Sequence, residues 1–193
     1  MASIGVVLTP GFADWEYAFI AGTAKPFYGI DVRFFTPRPG LLRSQGGLSV
    51  TVDDDLAQCQ AWRPQVVAVM GAMAWESSAA PDLGAFLHAL RDQGAALAGI
   101  CAGTLALARA GLLDRVAHTS NSADYLGAHA AGYGGAALYQ ASAAAVSAER
   151  IITAPGTAPV SFTAEVFAHA GLAPEAIAQF RAMLAAEHGT RQP

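Results

Sequence analysis

Cys101 stands between two glycines, in Gly99-Ile100-Cys101-Ala102-Gly103, where one sequence period gives way to another. Ala95 to Ile100 is a continuous apolar run with the length of a buried strand. The run after Gly103 is rich in Ala and Leu, helical in character, and unbroken until Gly111. A Gly-x-Cys-x-Gly junction between strand and helix has the spacing of a nucleophile elbow. The sharp turn holds the nucleophile in a strained backbone conformation, and the small flanking residues let neighbouring chain pass close. The turn also sets the sulfur at a helix N-terminus, which favours thiolate over thiol. A cysteine in an apolar strand ordinarily packs as a small hydrophobe; the paired glycines and the abrupt change of period point to the nucleophile instead. Cys59 has neither feature and is expected to be inert.

Other elements must bring partners to that sulfur. Ser3 to Leu8 reads as a first central strand, followed by a Thr9-Pro10-Gly11-Phe12 loop and a helix from Trp15 to Ala24, capped by Asp14 and stopped by Lys25-Pro26. Glu16 then lies in the first helical turn beside the carboxyl end of a strand, where open parallel sheets bind ligands. On spacing alone it is a solvated acid that favours the helix dipole. Strands are expected at Asp31–Thr36, Gln65–Met70 and Arg150–Ala154, and a hairpin over Leu41–Val52 around Gly46-Gly47. Asp53-Asp54-Asp55 reads as a cap and solvated loop before a short helix through Cys59. No histidine or further acid follows it at metal-ligand spacing. Further helices are expected at Pro81–Arg91, with His88 solvated, and at Ser122–His129, Val160–Ala170 and Pro174–Glu187. Gly132–Tyr139 reads as loop and strand. Trp75 suits a pocket wall and simple packing equally. Strands alternating with helices define the fold expected: α/β, a doubly wound, mostly parallel flavodoxin-like sheet with helices on both faces and a small edge hairpin.

The segment Ala98 to Asn121, AGICAGTLALARAGLLDRVAHTSN, resembles the nucleophile region of the ThiJ/PfpI superfamily. That superfamily includes the parkinsonism-associated deglycase and has the class I glutamine amidotransferase-like fold. Matching pieces near both ends extend the resemblance across nearly all of 1–193, read as a single domain. The resemblance implies that Glu16, in Gly11-Phe12-Ala13-Asp14-Trp15-Glu16, lies against Cys101 as a catalytic acid, with Asp14 as the alternative. A carboxyl in that place must be protonated to donate to a thiolate. It implies an oxyanion hole of backbone N–H groups at Gly71 and Ala72, where the family usually has Pro-Gly-Gly and this chain has Met70-Gly71-Ala72. It places Thr119-Ser120 near the pocket, with Ala102 beside the nucleophile and Thr157 in the loop that closes the site. Family members often carry a pocket histidine where this chain has Gly135, Ala136 and Ala137, with His129 the nearest substitute. His118 is the candidate catalytic base, although a histidine just before a strand end is more often a buried, satisfied one.

The expected function is a Cys101 enzyme, a hydrolase, hydratase or glyoxalase-like catalyst acting on a small electrophile. The alternative is a stress-responsive redox sensor or chaperone using Cys101 oxidation. Peptidase activity is doubtful because Ala102 stands where the family's proteases carry histidine. Glutamine amidotransferase activity is doubtful because Ala154 to Val160 lacks a His-x-Glu pair. The chain is 53% hydrophobic and 13% charged, which excludes disorder, and its net charge of −4 with no basic stripe argues against nucleic acid. No run reaches a membrane span, and MASIGVVLTPGF lacks the basic region of a signal peptide. A cytoplasmic homodimer acting on a small molecule or oxidant, with no cofactor and no metal, is therefore expected.

Overall fold

Apolar runs of four or five residues are too short for helices and must be covered on both faces. The computed structural model describes residues 2–186. In chain order it contains β1 (Ser3–Val7), α1 (Asp14–Tyr28), β2 (Asp31–Phe35), β3 (Gly40–Arg43), β4 (Ser49–Val52), α2 (Leu56–Trp62), β5 (Val66–Val69), α3 (Gly84–Asp92), β6 (Ala96–Ile100), α4 (Thr104–Arg109), α5 (Ala123–His129), β7 (Val146–Ala148), β8 (Ile151–Ala154), α6 (Pro159–His169) and α7 (Pro174–Ala185). The main sheet has the order β2-β1-β5-β6-β8-β7, parallel except for β7, and β3 pairs with β4 in a separate antiparallel hairpin. Every residue of β5, β6 and β8 is buried. Ile20, Phe162, Phe167 and Phe180 from α1, α6 and α7 cover one face. Leu87, Leu105 and Leu126 from α3, α4 and α5 cover the other. No described helix is long and apolar enough to cross a membrane.

Register positions the site. Val7 pairs with Val69, Val69 with Gly99, and Gly99 with Thr153, so β1, β5, β6 and β8 end side by side. The chain leaves β1 for β2 on one side and crosses back to β5 on the other, which opens a crevice at those carboxyl ends.

Several local expectations are corrected. Helix α1 runs through Pro26 and ends at Gly29, whose φ of 66° lets the N–H groups of Gly29 and Ile30 return to Lys25 and Ala24 carbonyls at 3.2 and 3.1 Å. Pro26 forfeits one backbone bond, which the last turn of a long helix tolerates. Asp14 does not cap α1, since no side chain caps that end. Gly132–Tyr139 forms a short 3₁₀ turn at Ala136–Leu138 and one isolated bridge, not a strand. The edge strand β7 escaped the sequence reading because Glu149 and Arg150 make its turn at φ 48° and 65° without a glycine signal. His88 is half-buried, with Nε2 2.9 Å from the Ala110 carbonyl. Asp55 caps α2 through a capping box with Gln58, as the acid cluster led one to expect. Glu187, the expected end of α7, lies outside the described residues.

The two elbow glycines carry separate constraints. A Cβ on Gly103 would stand 2.3 Å from the Val69 carbonyl oxygen, and one on Gly99 would stand 3.1 Å from the Gly103 oxygen. Backbone on both sides cannot step aside, so Gly103→Ala should cost about 2 kcal/mol or more, a drop in Tm of roughly 4–8 °C. Gly22→Ala on the exposed side of α1, where a Cβ meets nothing within 4 Å, should be neutral or stabilising by about 0.5–1 kcal/mol. Calorimetric melting of both variants checks the contrast, and equal Tm values would contradict it.

Candidate active site

Four parallel strand ends each supply one piece of the site. Cys101 follows β6 directly, and its φ of 55° is the strained conformation that the elbow spacing requires. Glu16 sits in the first turn of α1, after β1, and is fully buried. Gly71 follows β5 and Gly156 follows β8. A Cβ on Gly71 would lie 2.7 Å from Glu16 Oε1 and 2.9 Å from Cys101 Cβ, and one on Gly156 would lie 2.9 Å from Cys101 Sγ. Only hydrogen at both positions lets the carboxyl and the sulfur meet.

The Gly71 N–H donates to Glu16 Oε2 at 2.5 Å. Oε1 is buried without a hydrogen-bond partner, and it borders the same space beside Gly71 and Gly156 as Cys101 Cβ and Sγ. Asn121 Nδ2–H donates to Sγ at 3.3 Å, and the Ala102 backbone N–H also donates to it. The Gly156 N–H donates back to Asn121 Oδ1 at 3.0 Å, and Trp15 Nε1–H donates to the Gly156 carbonyl at 2.9 Å. The segment carrying Asn121 is stitched down residue by residue. Thr119 N–H donates to Thr153 Oγ1 on β8 at 2.8 Å, and Ser120 Oγ lies 2.7 Å from Thr104 Oγ1 on α4. Trp15, Cys101, Asn121, Gly156, Thr157 and Pro159 line an open cleft over the sulfur.

Burial pushes the Glu16 carboxyl up from 4.5 to about 7, against the pull of the Gly71 N–H and the thiol. Burial and then the Glu16 charge push the Cys101 thiol up, while Asn121 and the Ala102 N–H pull it down. The lowered thiol that a helix N-terminus suggests is therefore not the outcome. Two negative charges cannot share so dry a corner, so the pair titrates as one unit that keeps a proton well past neutrality.

A profile of the DJ-1/PfpI family matches residues 2–169. The chain belongs to the DJ-1/PfpI family. An uncharacterized protease of Bacillus subtilis, YoaZ, is 31% identical over 162 residues, 80% of this chain and 76% of its own. The crystal structure of a DJ-1 superfamily protein from Agrobacterium tumefaciens is 37% identical and superposes with a TM-score of 0.90, covering 98% of this chain and 100% of that one. Oxidized DJ-1 from Toxoplasma gondii, 19% identical, shares the fold at a TM-score of 0.74, covering 97% of this chain and 98% of its own.

Within this DJ-1/PfpI chain several expected site residues serve other purposes. His118 is fully buried and away from the thiol cleft. Nδ1 is 2.8 Å from the Val116 carbonyl and Nε2 is 2.6 Å from Tyr133 Oη, so both ring nitrogens are taken. Asp14 accepts from the Gly46 N–H at 2.7 Å and from Ser44, which hold its carboxyl below the usual range and tie it to the hairpin. The Gly71 N–H is occupied by Glu16 and Ala72 is buried opposite Phe12 in an isolated bridge, so Gly71 offers no free donor to the expected oxyanion hole. Trp75 is core, its indole N–H donating to the Met70 carbonyl. Burial pushes Cys59 up to about 12. Asn121, Gly156 and Trp15 were missed. The Thr119-Ser120 strand end and the Gly156-Thr157 loop gave their neighbourhood, but nothing in the spacing singled out the residues.

Because the folded Glu16 carboxyl holds its proton more tightly than the unfolded one, the folded state binds more protons between about pH 4.5 and 7. Its stabilisation is full below that window and is lost as pH rises through about 7, about 3 kcal/mol in all. Denaturant titrations at about pH 5 and about pH 8 should show this loss in the wild type and a much flatter profile in Glu16→Gln. Equal slopes would place the Glu16 carboxyl in water.

Proposed function

We propose that the protein is an enzyme in which Cys101 adds to a small electrophilic carbonyl, an α-oxoaldehyde being the simplest, with Glu16 moving the proton. The observation that carries this reading is the buried Glu16 carboxyl held against the elbow thiol of Cys101. A carboxyl brought to about 7 can both give and take a proton near neutral pH, as general acid–base catalysis needs. In the reactive form the proton resides on Glu16 Oε1, and the thiolate accepts from Asn121 and Ala102. The sulfur lone pair forms the C–S bond as the carbonyl π pair moves to oxygen, and the Glu16 proton passes to that oxygen, giving a thiohemiacetal and a carboxylate. The Glu16 carboxylate then takes the proton from the former aldehyde carbon and returns it to the neighbouring carbonyl carbon, which turns the thiohemiacetal into a 2-hydroxyacyl thioester, and water cleaves the C–S bond to give the 2-hydroxy acid and the free thiol. The developing oxyanion is thus met by a proton rather than by fixed N–H donors, since the Gly71 N–H is already engaged. Trp15 and Pro159 give the cleft an apolar wall suited to a small substrate. The relative named as a protease does not extend that activity to this chain, because Ala102 follows the thiol and no histidine among the described residues lines the cleft over it.

Two observations favour a second reading, oxidation of Cys101 to sulfinic acid by two equivalents of peroxide, each reduced to water. The thiol is partly exposed, and its N–H donors suit sulfinate oxygens. An oxidized DJ-1 is among the solved relatives.

With methylglyoxal as substrate, Cys101→Ser and Glu16→Gln should each lose on the order of 10²-fold or more in kcat/KM. His118→Ala should keep kcat/KM within about threefold while lowering Tm, because it removes a buried hydrogen-bonded ring. Loss of turnover in His118→Ala at a temperature where it remains folded would restore that histidine as the base. Absence of wild-type turnover, with stoichiometric sulfinate at low peroxide, would decide for oxidation.

A further inference from the structure

Arg109 ends α4, the helix that begins just after the nucleophile, and it is half-buried. It has no carboxylate within 4 Å among the described residues. Its Nη2 instead donates to two backbone carbonyls on two different elements, Trp75 at 2.7 Å and His129 at 2.8 Å. Trp75 belongs to the 3₁₀ turn Met73–Glu76, and His129 is the last residue of α5. Tyr125 Oη makes a second link between the same two elements, donating to Glu76 Oε1 at 3.0 Å. A cation that only caps a helix end needs the carbonyls of that helix. One that bridges two elements fixes them relative to each other.

Both elements lead to the thiol pair. The Trp75 indole N–H donates to the Met70 carbonyl at 3.0 Å. That carbonyl and the Gly71 N–H belong to one planar trans peptide, so holding the oxygen on one side aims the N–H at Glu16 Oε2 on the other. On the second arm, Ser122 caps α5 by accepting from the Tyr125 N–H at 3.1 Å. Asn121, which donates to Cys101 Sγ, is the residue just before that cap.

We propose that Arg109 is a positioning residue for the Glu16–Cys101 pair, keeping the Gly71 N–H on the carboxyl and Asn121 on the sulfur at once. The inference rests on that pair, which the proposed chemistry uses, and on no feature of the substrate. Hydrogen bonds from an ionised donor are about twice as strong as neutral ones, and the planar guanidinium loses little side-chain freedom per bond formed. Without Arg109 both donors slacken. Each favours the charged form of the group it meets, so weaker donors leave carboxyl and thiol protonated to higher pH.

The test is thiolate ultraviolet absorbance against pH, each variant measured as the difference from its own Cys101→Ser counterpart. It reads the pair whether or not a carbonyl compound is turned over, so failure of the proposed activity and failure of this inference are separate results. Arg109→Met keeps an apolar stem and removes every donor. Its profile should move up by about 0.5 pH unit or more, and alkylation of Cys101 by iodoacetamide at about pH 7 should slow by about threefold or more. Arg109→Lys keeps the charge without the planar fork; it should move the same way by less, and it carries the test if Arg109→Met does not fold. Arg109→Ala should return toward the wild-type profile in ~20 mM guanidinium chloride, far below the molar range that unfolds proteins. The side chain lines a cavity of about 640 Å³, which admits the free cation. Sodium chloride at the same concentration should not restore it. Phe180→Leu, on the opposite face of the sheet, should lower Tm and leave the profile unmoved. The proposal is overturned if the folded Arg109 variants titrate as the wild type does, if Phe180→Leu shifts the profile as far, or if sodium chloride restores Arg109→Ala as well as guanidinium does.

Discussion

A carboxyl and a sulfur share one dry corner of this molecule, and much of the sequence around them is a consequence of that contact. Gly71 and Gly156 are bare because any side chain there would occupy the space of Glu16 Oε1 or Cys101 Sγ. Gly103 is bare because the chain after the elbow runs against the backbone of β5. The aligned ends of β1, β5, β6 and β8 bring these pieces to one place, and that alignment follows from parallel pairing with neither face exposed.

Magnitudes decide how the pair behaves. A helix N-terminus offers a nearby anion about 0.3–1 kcal/mol. Here it is further weakened, since a 3₁₀ turn at Cys101–Gly103 precedes a helix of only six residues. Full burial moves a carboxyl or thiol by up to roughly 3–5 pKa units. Burial therefore wins for both groups, and specific donors do the fine placement: the Gly71 N–H on the carboxyl, Asn121 and the Ala102 N–H on the sulfur. A proton on Oε1 turned toward Sγ would give that oxygen the partner it otherwise lacks.

Much of the frame was legible because its signals are local and steric. The apolar runs, the Gly-x-Cys-x-Gly junction, the Gly46-Gly47 hairpin and the Asp55 cap each follow from residue type and spacing. Glu16 was ambiguous on spacing and needed the family resemblance, because nothing local distinguishes an acid that faces water from one that faces a strand end. Asn121 and Gly156 escaped because their roles exist only after α4, β8 and the Thr119–Asn121 segment have packed together. His118 misled in the opposite way. Its chemistry suits a base, but the Val116 carbonyl and Tyr133 Oη satisfy both nitrogens inside the fold. The turn at Glu149-Arg150 was invisible because non-glycine residues adopt left-handed conformations there.

The claim at the centre of this account is that Glu16 and Cys101 hold one proton between them. Thiolate ultraviolet absorbance measured against pH, as the difference between wild type and Cys101→Ser, reads that proton directly. Two steps are predicted. A partial rise near pH 7 corresponds to loss of the first proton from the pair, and completion at higher pH to loss of the shared one. Glu16→Gln should collapse the profile to a single step. A single wild-type step at the ordinary thiol value of about 8.5, unmoved in Glu16→Gln, would contradict the shared proton.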